Sequence, residues 1–133
     1  VSGTAIELMN PSDNVLRAGL TPKHIDTEEL IKVLGEHQDA PVLQRPVEND
    51  SGVEHYAMWD ERMSVQHIRV LAEKPVEYTF EGTSAALVMD GSVTISAGEQ
   101  NITLRGTESV LHAGDATSVT IMGEGELYIA RYV

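Results

Sequence analysis

Ser84-Ala-Ala-Leu-Val-Met-Asp-Gly-Ser-Val-Thr-Ile-Ser-Ala97 is the stretch on which the fold turns. Two runs of aliphatic and β-branched residues flank Asp90–Gly91. Both of those residues tolerate the positive φ of a type I′ turn, so the stretch predicts a hairpin of Ser84–Met89 against Ser92–Ala97. Working outward, short runs of Val, Ile, Thr and Tyr recur every ~8–12 residues from Val53 onward, separated by turn residues. They predict further strands over Val53–Trp59, Ser64–Ala72, Val76–Phe80, Asn101–Arg105, Ser118–Ile121 and Glu126–Tyr132. About eight antiparallel strands in one domain suggest a double-sheet jelly roll or a closed barrel, because either limits exposed strand edges.

The 133 residues suit one compact unit, and a composition that is 41% hydrophobic can fill its core. The absence of cysteine excludes disulfide frameworks, Cys-based zinc sites and thiol nucleophiles, and it fits a reducing cytoplasm. A net charge of −12 repels phosphate backbones and anionic lipid heads, so neither nucleic acid nor membrane is expected as a partner. No apolar run approaches the ~20 residues of a membrane span, and no basic n-region with an apolar h-region opens the sequence. The chain begins with Val1 rather than methionine, and Ala5–Met9 reads as a strand already under way, which suggests a piece of something longer.

The excess of negative charge lies almost wholly beyond residue 26. Before it, Arg17 and Lys23 stand against Glu7, Asp13 and Asp26. This segment predicts a very short helix, with Ser12 or Asp13 as N-cap, Val15, Leu16 and Arg17 inside, and Gly19 as its stop. Pro22 forbids an easy continuation. A second helix is expected over residues 27–35, capped by Asp26 with Glu29 as the capping-box partner, with Leu30, Ile31, Val33 and Leu34 apolar and Gly35 ending it. Pro46–Gly52 reads as a loop.

Chemistry concentrates in Ser12–Asp26. Arg17 and Lys23 are close enough in sequence to converge on one anion, the first as a bidentate fork and the second as a point charge. Asp13, four residues before Arg17, could orient it. Glu7, on the preceding strand, could be directed into a pocket. The same residues also fit a capped helix with an ordinary Asp–Arg pair, and composition alone leaves both readings open. His24, His37, His55, His67 and His112 occur singly, without metal-ligand spacing, and read as surface or hydrogen-bonded core residues. Trp59 with Met58 and Met63 reads as a core or interface cluster, and Glu28–Glu29 and Asp60–Glu61 as solvated faces.

Gly106-Thr-Glu-Ser-Val-Leu-His-Ala-Gly114 resembles the second sequence motif of the cupin superfamily, with His112 at the proline position. The resemblance puts the metal histidine of that family on Thr117, the glutamate on Ser84 and the paired histidines on Tyr78 and Phe80. It therefore implies a cupin-type jelly-roll barrel that binds no metal at the usual centre, since phenyl and hydroxyl groups do not replace imidazole and carboxylate.

The run Ala5-Ile-Glu-Leu-Met9, followed by Ser12-Asp-Asn-Val-Leu-Arg-Ala-Gly-Leu-Thr-Pro-Lys-His-Ile-Asp26, is similar to the signature of the type I phosphomannose isomerases. The resemblance implies part of an aldose–ketose isomerase that interconverts mannose 6-phosphate and fructose 6-phosphate through a cis-enediol beside one zinc ion. Arg17 would match the active-site arginine and Glu7 the carboxylate before it, as catalytic residues. Lys23 would face the substrate phosphate, and Asp13 and Asn14 would shape the substrate-binding loop. The family's zinc ligands have no counterpart here. The resemblance thus implies that zinc is held outside this chain, by an N-terminal catalytic portion of the same polypeptide, and that the chain alone is inactive. Residues 1–40 would link to that portion and 41–133 would form the metal-free barrel. A non-catalytic cupin module that binds sugar or mediates assembly is the alternative. A metal-dependent cupin oxygenase or epimerase is disfavoured by Tyr78, Phe80, Ser84 and Thr117.

Overall fold

A computed structural model describes residues 2–9, 16–34, 43–58 and 60–132, and the chain divides into two compact units, Val1–Leu43 and Gln44–Val133. In the first unit the one helix is α1 (Thr27–Leu34). The Asp26 carboxylate accepts the Glu29 N–H at 2.9 Å, and the Asp26 carbonyl accepts that of Leu30 at 3.0 Å. The expected cap is therefore formed, but Glu29 does not complete a capping box: its carboxylate accepts from Lys32 Nζ at 3.3 Å instead. The expected end at Gly35 lies outside the described residues.

Two expectations fail in this unit. Ala5–Met9 is not a strand, because no other described segment of the unit supplies the ladder that would hold one. Leu16–Ala18 is not helical, and the expected start of that short helix, Ser12, Asp13 and Val15, lies outside the described residues. A one-turn helix fixes several residues for a single hydrogen bond, and here Gly19 (φ 145°) and Leu20 (φ 55°) turn the backbone away at once.

The second unit is antiparallel β throughout: β1 (Val47–Glu48), β2 (Val53–Tyr56), β3 (Met63–Val70), β4 (Val76–Phe80), β5 (Thr83–Ala97), β6 (Gln100–Arg105), β7 (Ser109–His112) and β8 (Thr117–Tyr132). The eight strands and one short helix agree with the expected class, but their division differs. Asp90–Gly91 is no hairpin. It lies inside one continuous strand, β5, paired along its length with β8, so that Thr83 faces Tyr132 and Ser96 faces Thr120. The two long strands form the centre. β3 and then β4 flank β8, with Val70 opposite Gly125 and Phe80 opposite Thr117. β7 and then β6 flank β5, with Ser84 opposite His112 and Ser92 opposite Arg105. β1 occupies part of the expected Pro46–Gly52 loop, pairing with β2 at the sheet edge.

Gly91 still takes the positive φ its chemistry favours, at 81°, beside an irregularity of the strand. A β-bulge between Val88 and Asp90 inserts Met89. Before it the buried residues are Ser84, Ala86 and Val88; after it they are Val93 and Ile95. One extra residue has reversed the alternation, which lets a single strand bury opposite parities in its two halves. Across the bulge β8 keeps its phase, with Val119, Ile121, Leu127 and Ile129 buried and Gly123 and Gly125 between them. A Cβ on Gly123 would sit 2.3 Å from the Ser92 carbonyl oxygen, so only glycine permits this approach of the two backbones. Val88 turns its N–H and carbonyl to Glu108 and Thr107, locking the β6–β7 turn onto the bulge.

The core of this unit gathers Val53, Ile68, Val70, Val76, Phe80, Val88, Val93, Leu104, Ile121, Leu127 and Ile129 from six strands. Each fully buried aliphatic side chain contributes about 1.5–3 kcal/mol over exposure. Asp60, expected on a solvated face, is buried at 9% exposure and holds the turn into β3. Its carboxylate accepts the Arg62 N–H at 3.0 Å and is gripped by the Arg62 guanidinium at 3.0 and 2.7 Å. That bidentate grip is the main reason its pKa lies below the ordinary aspartate value.

Candidate functional site

Of the five residues selected from the sequence, Glu7, Arg17 and Lys23 are described, and Asp13 and Asn14 lie outside the described residues. Glu7 and Lys23 are exposed and Arg17 is half-buried. Arg17 and Lys23 stand on either side of the Gly19–Leu20 turn, whose second residue is a fully exposed leucine in the left-handed region. A branched side chain at positive φ costs about 1 kcal/mol or more, and such outliers cluster at ligand-binding loops. The Lys23 N–H donates to Thr21 Oγ1 at 3.2 Å, a local turn bond that fixes the backbone carrying the lysine. Glu7 sits on irregular backbone rather than on the expected strand.

The barrel holds two further groups of polar side chains. The first lies where the cupin resemblance places a metal. Phe80, buried at 3% exposure, stacks on the His112 ring with centroids 5.3 Å apart, and Tyr78 packs edge-on against Phe80 at 5.0 Å. Tyr78 OH donates to Gln66 Oε1, and burial raises its pKa above the usual tyrosine value. Ser84 Oγ donates to the Glu81 carbonyl at 3.1 Å. Aromatic rings and hydroxyls committed to protein carbonyls are no donor set for a divalent ion. Among the described residues no group of three His, Asp or Glu is placed to hold a metal. His112 is the single imidazole here, its Nδ1 2.9 Å from the Gly82 carbonyl and its Nε2 3.1 Å from Thr117 Oγ1. Phe80, His112 and Thr117 border a cavity of about 710 Å³.

The second group centres on His67, which is buried at 8% exposure and is a hydrogen-bonded core residue, one of the two readings the sequence offers for it. Its Nδ1 lies 2.6 Å from Glu54 Oε2, and its Nε2 is hydrogen-bonded to the Glu126 carboxylate. Arg69 Nε donates to the other Glu126 oxygen at 3.0 Å, and the imidazole stacks on Tyr128 at 4.5 Å. Burial is the main cause of a raised Tyr128 pKa. With both ring nitrogens engaged by carboxylates, His67 is not presented as a base or ligand. It ties β2 and β8 to β3. Linear spacing could not reveal this, since the carboxylates are brought in by strand register, Glu54 directly opposite His67 and Glu126 opposite Arg69.

The curated relatives and the solved structures that match this chain agree with one another. The mannose-6-phosphate isomerase of Escherichia coli is 33% identical over 129 residues, covering 96% of this chain and 32% of its own length. A probable mannose-6-phosphate isomerase of Dictyostelium discoideum is 32% identical over 120 residues, covering 86% of this chain. The chain is a relative of the mannose-6-phosphate isomerases. The crystal structure of the Salmonella typhimurium enzyme, bound to fructose 6-phosphate and zinc, superposes with a TM-score of 0.78 at 25% identity over 93% of this chain. The matched part is a C-terminal portion of that enzyme, 32% of its chain. This chain thus spans about a third of the length of the mannose-6-phosphate isomerases it matches. No protein-family model matches it.

Proposed function

We propose that this chain supplies the sugar-phosphate-binding loop and the non-metal barrel of an aldose–ketose isomerase acting on mannose 6-phosphate and fructose 6-phosphate in the cytoplasm. The observation that carries the reading is the pair of accessible cations, Arg17 and Lys23, around a strained turn, in a chain related along 96% of its length to mannose-6-phosphate isomerases. The substrate is a dianionic sugar whose isomerisation passes through an enediolate. In this reading the Arg17 fork meets the enediolate or phosphate oxygens bidentately, and Lys23 adds a compact charge to the phosphate. Glu7 orients the substrate or handles the proton passing between C1 and C2, with Asp13 and Asn14 shaping the loop. Zinc supplies charge stabilisation in such an enzyme when bound. The described residues of this chain do not fit it, so in this proposal its ligands lie elsewhere in the longer polypeptide.

The test is a coupled assay of fructose 6-phosphate formation by the polypeptide that contains these residues. Arg17→Ala is expected to lower kcat/KM by at least ~10²-fold, the scale for losing one preorganised charge-stabilising donor, without moving the thermal midpoint. A variant that unfolds but keeps its specific activity would instead make Arg17 a framework residue.

A further inference from the structure

The cavity beside His112 has no part in that reading. Its volume of about 710 Å³ falls in the ~300–1,000 Å³ range of small-molecule sites. The buried face of Phe80 with the stacked His112 ring forms one wall, and Ile102 and Leu111, 41% and 66% exposed, bring apolar surface to its border. Polar groups interrupt this surface: the Asn101 carboxamide, the Thr117 hydroxyl and Asp115. Among the described residues that line it there is no lysine or arginine, so nothing balances the charge of a phosphate next to Asp115.

The hydrogen bonds at His112 narrow the chemistry. Nδ1 faces the Gly82 carbonyl and must donate to it, which leaves Nε2 of the neutral ring as an acceptor toward Thr117 Oγ1. The hydroxyl has one proton, and it also faces the Asp115 carbonyl at 3.0 Å. Two acceptors thus compete for a single donor, and a ligand hydroxyl could satisfy whichever is left.

We propose that this cavity is a binding site for an uncharged, hydroxyl-bearing ligand of monosaccharide size. Its C–H face lies on the apolar wall, one hydroxyl donates toward His112 Nε2, and others meet Asn101 and Asp115. The site is built by residues of the second unit alone and selects against phosphorylated sugars.

The experiment is a methyl-labelled NMR titration of the 133-residue chain with methyl α-D-mannopyranoside as the neutral probe and mannose 6-phosphate as its charged counterpart. The neutral sugar is expected to shift the Ile102, Val110 and Leu111 methyl signals saturably, and the phosphorylated sugar to act at least ~10-fold more weakly on the same signals. Absence of saturable shifts with the neutral sugar, or equal or tighter binding of the phosphorylated one there, overturns the proposal. His112→Phe keeps a ring on Phe80 but removes the acceptor, and Asn101→Ala removes an exposed rim group. Whichever variant retains the native spectrum should bind the neutral sugar about tenfold more weakly, the effect of one lost hydrogen bond; unchanged affinity in both also overturns the proposal.

Discussion

Arg17 and Asp60 show how differently single charged residues are used in this chain. Arg17 is half-buried next to a strained turn, and the proposed role needs its fork rather than its charge alone. Arg17→Lys should therefore recover only a small part of the activity lost in Arg17→Ala, measured in the same isomerase assay. Asp60 is a framework residue. Because its pKa is lowered in the folded protein by the Arg62 hydrogen bonds, its contribution is present above the unfolded value, near ~3.9, and is lost as pH falls through the folded value. Urea unfolding of the native chain and Asp60→Asn should show a larger gap at neutral pH than below about pH 3. An equal gap at both would mean that packing, not charge, holds the turn. The sequence singles out Arg17 through its pairing with Lys23 and through the signature it belongs to, whereas Asp-x-Arg spacing does not reveal that Asp60 is buried.

At the scale of elements, the crease of β5 and β8 decides the shape of the barrel. Gly123→Val would press a side chain into the Ser92 carbonyl at a backbone φ of 120°, and should lower stability by about 3 kcal/mol or more, read from the urea midpoint. A near-neutral result would mean that the strands can part at this point without loss. The same crease explains what the sequence did and did not disclose. Runs rich in Val, Ile and Thr marked most strands because such side chains pack on a pleated sheet. Asp90–Gly91 misled because residues that tolerate positive φ serve a bulge as readily as a hairpin turn, and only the partner strand distinguishes them. β7 went unrecognised because it alternates half-buried Val110 and His112 with exposed Ser109 and Leu111, so its apolar residues do not share a face. The His67 tie depends on register, which no local pattern encodes.

For the whole chain, the proposed division of labour has a direct consequence. The isolated 133-residue chain is expected to retain no stoichiometric zinc after dialysis, measured by atomic absorption, and to show no isomerase turnover. Either a bound zinc per chain or measurable turnover free of contaminating enzyme would require a metal-holding group that the described residues do not supply. In the two proposals charge separates two settings for sugars: the cations Arg17 and Lys23 at the turn of the first unit, and in the second a cavity lined by Asn101, Thr117 and Asp115 with no lysine or arginine among its described lining residues.

The two long strands of the barrel run through both of its halves without a break, their partners merely changing from β7 to β6 on one flank and from β3 to β4 on the other. Neither half has a seam along which it could melt first. Amides of β5 and β8 on both sides of the glycine crease should therefore exchange with deuterium at one common rate, that of global opening. Distinct rates for the two ends would show that the crease acts as a hinge.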